Sequence, residues 1–314
     1  MAAATAFAIV EGIHAVVGFV HSATPDRPNQ HQTTFRIQVA AEFLGAKYDP
    51  GKVASGSFRD VMVSLKKPNQ PTYALFTGNN DAVCIAYITN SWADGQKYAW
   101  VGNWAETCQQ NWYYSNIVLD GKSLSCAWVD RNGDVATTGF QMRIHEFADD
   151  DGNRGKDTSY YCAGNPSLKW YTDWEPHSIT YWTTSQKRGI EGPDELQSAV
   201  AVGPVKPANE KRKRLIGTRP YFNETRLVRS SDPEHSAVKL CESPSSLGPD
   251  LVSLREGKYC DMSTREVLPL CGPGVTGNCF DDSVKTLRVR GGGAIIGRDA
   301  VMDKEYSEVL DWNA

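Results

Sequence analysis

Apolar and polar positions along this chain alternate in short runs and do not recur at the three-to-four-residue spacing of a helix. Between Tyr73 and Trp182 the runs are bounded by turn formers: 73–76 (YALF), then Gly78-Asn79-Asn80-Asp81, then 82–89 (AVCIAYIT), then Ala93-Asp94-Gly95, then 97–104 (KYAWVGNW). Short β-branched and aromatic runs between Gly, Asn and Asp predict antiparallel strands. The segment 125–147 predicts a hairpin, with SCAWVD and VATTGFQMRIHEF flanking Asn132-Gly133, residues that accept the positive φ of a tight turn. No comparable length after it carries helical periodicity. The pattern therefore predicts a mainly β fold: an antiparallel β-sandwich or jelly-roll-like domain over 35–185, with a disulfide-bonded C-terminal segment.

The flanks read differently. Residues 1–23 hold an apolar run, Ala2 to Val20, that ends in small residues near Ser22-Ala23, as a signal peptide does; it lacks a basic start, and Glu11 and His14 interrupt it. The same interruptions argue against a membrane span, which needs about 20 apolar residues. Residues 24–34 (TPDRPNQHQTT) are polar and read as a flexible lead-in. Residues 186–233, with Gly203-Pro204, Lys206-Pro207 and the run Lys211-Arg212-Lys213-Arg214, read as a linker or long loop, the basic run being open to a kexin-type protease. From 234 to 314 the chain is cysteine-rich and reads as a small region held by disulfides more than by a core.

Composition narrows the function classes. At 314 residues with 22% charged and 40% hydrophobic residues, the chain is ordinary globular material, and a formal charge of -4 provides no general attraction for nucleic acid. The eight cysteines, Cys84, Cys108, Cys126, Cys162, Cys241, Cys260, Cys271 and Cys279, contain no CxxC pair, so disulfides are a better reading than zinc. A preference for short loops pairs them Cys84 with Cys108, Cys126 with Cys162, Cys241 with Cys260, and Cys271 with Cys279. With the glycosylation sequon at Asn223-Glu224-Thr225, this places the chain in the secretory pathway or outside the cell.

The C-terminal run Leu240-Cys241-Glu242-Ser243-Pro244-Ser245-Ser246, then Gly248-Pro249-Asp250, Val252-Ser253, Glu256-Gly257, Tyr259-Cys260-Asp261-Met262 and Pro269-Leu270-Cys271, resembles a tail of secreted proteins of filamentous ascomycetes. The resemblance covers roughly 45 residues and implies lineage and compartment, with no activity attached. The chain is also similar in type to secreted fungal biosynthetic proteins such as the hetero-Diels-Alderases of tropolone sesquiterpenoid pathways, a likeness that no catalytic motif carries.

Nucleotide and metal motifs are absent: no P-loop, no GxGxxG after a strand, no HExxH, no GxSxG, and the expectation is a protein without cofactor. Asp130-x-Asn132-x-Asp134 opens like a calcium loop, but its twelfth position is Gln141 where a glutamate is needed. The positive signal is aromatic. Eight of nine tryptophans lie between Trp92 and Trp182, and adjacent rings, as in Asn111-Trp112-Tyr113-Tyr114 and 169–174 (KWYTDW), must point to opposite faces of an extended chain. Some rings are therefore expected in a cleft, and Trp100, Trp104, Trp112, Tyr113, Trp128 and Trp174 are the candidate ligand-binding set. In 140–147, Phe140, Met142 and Ile144 fall on one face and Gln141, Arg143 and His145 on the other, with Glu146 marking the strand end. Gln141 joins the ligand-binding set, and Arg143 and His145 are candidate catalytic groups for polarising a carbonyl and moving a proton. Glu175 and His177, between tryptophans, are a second acid/base pair.

Three functions fit. The first is a cofactor-free cyclase or cycloaddition enzyme binding a hydrophobic or aromatic small molecule. The second is a glycan-binding module or secreted effector. The third is a glycan-active hydrolase or lyase.

Overall fold

A computed structural model describes residues 25, 26, 28, 32–39, 56–64, 71–78, 82–119, 121–131, 135–148, 156–162, 167–173, 225–289 and 300–312 of the chain. The chain forms two compact units, Met1–Tyr221 and Phe222–Ala314.

The first unit carries β1 (Gln32–Val39), β2 (Phe58–Ser64), β3 (Tyr73–Thr77), β4 (Val83–Ser91), β5 (Lys97–Val101), β6 (Trp112–Leu119), β7 (Lys122–Val129), β8 (Gly139–Arg143) and β9 (Leu168–Tyr171). Two short helices, α1 (Asn103–Thr107) and α2 (Thr158–Cys162), and a 3-10 turn, Ile144–Phe147, complete the described elements. The strands form a six-stranded antiparallel sheet ordered β2-β1-β4-β7-β6, with β5 also on β4, and a three-stranded antiparallel sheet ordered β3-β8-β9. The sheets meet through aromatic rings. Phe35 of β1 touches Phe76 of β3 edge-on at 5.7 Å, and Trp100 of β5 stacks on Phe140 of β8 at 4.5 Å.

At its centre the larger sheet is covered on both faces. Every residue of β4 is buried, as a strand with two covered faces requires, and Trp112, Tyr113 and Tyr114 are buried in succession. The expectation that adjacent rings cannot all be buried fails for this reason. Where β5 gives way to α1, Gly102 donates from its N–H to the Ala86 carbonyl at 2.7 Å. A Cβ there would lie 2.4 Å from the Ser125 carbonyl oxygen and 2.6 Å from the Cys126 Cα, so only glycine fits.

Three sequence expectations need correction. The arms of the 125–147 hairpin do not pair: β7 lies between β4 and β6 in one sheet, and β8 between β3 and β9 in the other. Only a local link remains, from the Asp130 N–H to the Thr137 carbonyl at 2.9 Å, and the turn residues 132–134 lie outside the described residues. The strand over 140–147 stops at Arg143 and tightens into the 3-10 turn, which ends the two-residue alternation. The first unit's disulfides are Cys84–Cys126 and Cys108–Cys162, not the short-loop pairs. Cys84 pairs in register with Trp128, so Cys126, two residues along β7, shares its face and lies closer than any cysteine nearer in sequence.

The second unit carries β10 (Arg226–Ser230), α3 (Ala237–Glu242), β11 (Asp250–Ser253), β12 (Lys258–Asp261), β13 (Glu266–Pro269), β14 (Cys279–Asp281), β15 (Thr286–Val289), β16 (Ala300–Asp303) and β17 (Glu308–Trp312). β10 thus lies inside the stretch read as linker. One sheet runs β13-β12-β11-β10-β17, with β10 parallel to both neighbours, and a second runs β14-β15-β16. Its hairpin loops share one construction. Asp261 Oδ1 accepts from the Ser263 N–H and hydroxyl, Asp281 Oδ1 accepts from those of Ser283, and the loops close on Arg265 and Lys285 at φ 63° and 59°. Leu227, Val252, Tyr259, Leu268, Phe280 and Leu287 form a core, with Tyr259 stacked on Phe280 at 4.0 Å. Cys241–Cys260 and Cys271–Cys279 pair as the sequence predicted, and no cysteine is free. Among the described residues, no helix is long and apolar enough to cross a membrane.

Candidate functional site

Of the aromatic residues singled out from sequence, Trp100, Trp104, Trp112, Tyr113 and Trp128 are all buried. Trp104 on α1 packs on Tyr161 of α2 at 4.3 Å and on Phe147 at 6.2 Å, and Trp112 lies 5.2 Å from Tyr114. These are packing roles, filling the volume on both sides of a covered sheet. Trp100 shares one further feature with Trp92 and Trp170. Its indole N–H is buried and, like those of Trp92 and Trp170, has no hydrogen-bond partner among the described residues. An indole nitrogen is a donor only, so each of these groups lacks an acceptor.

The three indoles belong to one aromatic strip. Phe140 stands 4.5 Å from Trp100 and 5.0 Å from Trp170, with Trp100 and Trp170 6.3 Å apart. Two residues before Trp100 on the same face of β5, Tyr98 packs on Trp92 at 4.6 Å. His145 closes the strip. Its ring meets Trp92 edge-on at 4.8 Å and Tyr98 at 5.8 Å, and it is exposed.

The predicted row of Gln141, Arg143 and His145 is broken up. Gln141 is buried and its Oε1 accepts from the Tyr171 hydroxyl at 2.5 Å. Arg143 Nη1 donates to Glu146 Oε1 at 3.0 Å, and Lys156 pairs with the other oxygen of that buried carboxylate. Only His145 projects from the turn. Burial and the Glu146 carboxylate push the Tyr160 hydroxyl above the ordinary tyrosine range. Trp174, Glu175 and His177 lie outside the described residues, as do Asn223 and Lys211–Arg214.

The second unit holds two polar constellations, both structural. Asp250 Oδ2 accepts from Tyr259 at 2.6 Å, Tyr306 at 2.7 Å and Lys304 at 2.7 Å, while its Oδ1 accepts from the Met262 N–H at 2.7 Å. Lys304 also reaches Asp261 at 2.6 Å. Burial first, then Asp250, drives both tyrosine hydroxyls far above their ordinary range. Elsewhere Ser230 Oγ lies 2.8 Å from His235 Nδ1, and Asp232 Oδ2 is 3.9 Å from Nε2. A hydrolytic triad needs the carboxylate on one ring nitrogen and an accessible serine on the other. Here the carboxylate is beyond hydrogen-bond reach and Ser230 is wholly buried.

Sequence reasoning counted Trp92, Tyr98 and Trp170 among the aromatics without singling them out. What distinguishes them is the fate of an N–H or a ring edge across two sheets, which no local pattern encodes. Among the described residues no group of three His, Cys, Asp or Glu side chains could hold a metal. No family model, curated protein or solved structure matches the chain.

Proposed function

We propose that the first unit binds a small, flat organic molecule bearing carbonyl or similar acceptor oxygens along the strip from His145 to Trp170. The observation that carries this reading is the set of three buried indole N–H groups, on Trp92, Trp100 and Trp170, without acceptors among the described residues. Each buried donor left unmade costs about 1–3 kcal/mol, so three together rival the whole net stability of a domain, roughly 5–15 kcal/mol. A ligand oxygen offsets that cost, and the surrounding rings supply an apolar bed for its flat body.

The enzymatic form of this reading is a cofactor-independent cyclisation or cycloaddition. Indole donors would polarise a bound carbonyl in a water-poor site, and the exposed imidazole of His145 would take or return a proton. The likeness to fungal hetero-Diels-Alderases is in keeping with it. An extracellular or secretory location is part of the same proposal, supported by four disulfides with no cysteine left free.

The test is tryptophan fluorescence of the oxidised full-length protein titrated with tropolone and with 1,4-naphthoquinone. Saturable quenching is expected, weakened about tenfold in Trp92→Phe, which keeps a ring and removes one donor. Quenching that does not saturate, or that Trp92→Phe and His145→Ala leave unchanged, overturns the reading.

A further inference from the structure

In the second unit one lysine stands between two carboxylates, beside stacked aromatic rings. Lys304, just past β16, places Nζ 2.6 Å from Asp261 Oδ2 at the end of β12 and 2.7 Å from Asp250 Oδ2 at the start of β11. Those two side chains are 5% and 9% exposed, and the ammonium lies 5.7 Å from the centre of the Tyr259 ring, which stacks on Phe280. An ordinary buried pair sets one cation against one anion. Here a second carboxylate shares the ammonium, so a group able to take its proton is already in contact with it.

The two carboxyl groups are held differently. Asp261 Oδ1 accepts from the Ser263 N–H at 2.9 Å, the Ser263 hydroxyl at 2.6 Å and the Thr264 N–H at 3.2 Å. Three donors thus surround the oxygen on which negative charge would gather if a nucleophile added to Cγ. Asp250 Oδ2 instead shares Lys304 with the Tyr259 and Tyr306 hydroxyls, which burial keeps protonated. Burial pushes the Asp261 carboxyl up, but the bonds from Lys304 and Ser263 prevail and hold it below the ordinary carboxylate range, so the pair starts as ammonium and carboxylate. Those two ions contain the atoms of an amide and one water. Their condensation is unfavourable in open solution, but groups fixed in contact reach effective concentrations of about 10⁵–10⁸ M, and the amide removes a buried ion pair.

We propose that Lys304 and Asp261 condense into an isopeptide bond that ties the end of β12 to the end of β16, with Asp250 as proton carrier. Asp250 takes a proton from the ammonium, and the freed Nζ lone pair forms a bond to Asp261 Cγ. Ser263 and Thr264 hold the resulting oxyanion at Oδ1. Asp250 passes its proton to Oδ2, a second proton follows from the nitrogen by the same path, and the Cγ–Oδ2 bond breaks to release water. Nothing is oxidised or reduced. The neighbouring pair of Lys285 and Asp282, at 2.8 Å, has side chains 26% and 22% exposed and no second carboxylate paired with the lysine among the described residues, so it stays an ion pair. The cross-link is independent of the aromatic strip.

The experiment is peptide mapping by mass spectrometry of the full-length protein, folded first, then denatured, reduced and digested. The expected result is a branched peptide joining Asp261 to Lys304, lighter by one water than its two parents together, with Lys285 and Asp282 recovered in unlinked peptides. Lys304→Arg keeps the charge and the ion pairs but cannot condense, and it should give linear peptides alone. Asp250→Asn keeps the shape and removes the proton carrier, and it should do the same. Wild-type protein that gives only linear peptides overturns the proposal, as does a loss of water from the Asp261 peptide that persists in Lys304→Arg. A branched peptide in Asp250→Asn overturns the role given to Asp250.

Discussion

His235 sits 1% exposed beside Ser230 and Asp232, and burial holds its imidazole down to about 4 from an ordinary 6.5, with Asp232 pulling weakly the other way. Between those values the unfolded chain takes a proton that the folded chain refuses. Stability is therefore full above about pH 6.5, falls as the pH drops through the window and levels off below about 4, a loss on the order of 3 kcal/mol. Denaturant unfolding of the full chain at a series of pH values should show the decline, and His235→Asn should flatten it. At Asp250, three side-chain donors and one backbone donor converge on a buried carboxylate, so Asp250→Ala removes the acceptor that Lys304 and two tyrosines share. Lys304 keeps Asp261 and the two hydroxyls keep each other, so the loss should be about 1–3 kcal/mol, read as a lower urea midpoint. Residue types were legible in sequence and residue fates were not. The tryptophans announced an aromatic core, but that Trp92, Trp100 and Trp170 lack acceptors while Gln141 is satisfied by Tyr171 depends on partners 30 residues away in the last case.

At the scale of elements, the strands were legible because alternation and turn formers are local. The runs at 73–76 and 82–89 fall on β3 and β4, and the run at 97–104 supplies β5 up to Val101 before turning into α1. Their partners were harder. Asn132-Gly133 is a hairpin signal, yet β7 and β8 feed separate sheets, because each finds a better neighbour in β4 or β3 than in the other. The same tertiary adjacency overrode short-loop reasoning for the cysteines. Non-reducing peptide mapping should recover Cys84–Cys126 and Cys108–Cys162 and neither of the sequential pairs. Replacing Cys108 and Cys162 by serine opens a loop of 54 residues, for which chain entropy predicts a loss of about 4 kcal/mol. Gly102→Ala pushes a methyl into the backbone of β7 and should cost several kcal/mol or abolish folding, seen as a lost or lowered thermal transition.

The whole molecule is a mainly β chain in two units, each with its own sheets and its own pair of disulfides. The fold class followed from pattern alone, and the cysteine-rich C-terminal region turned out to hold a core of its own as well as its staples. The aromatic strip did not follow, since it joins β5, β8, β9 and a 3-10 turn that the sequence presents as the end of a strand. We propose that the strip's indole donors await a ligand oxygen. Its most direct test is the nitrogen-15 spectrum of the indole N–H groups in the oxidised full-length protein, titrated with tropolone. The Trp92, Trp100 and Trp170 resonances should move together with a single dissociation constant while Trp112 and Trp128 stay in place. Indole resonances that do not move, or that all drift slightly without saturating, would contradict it.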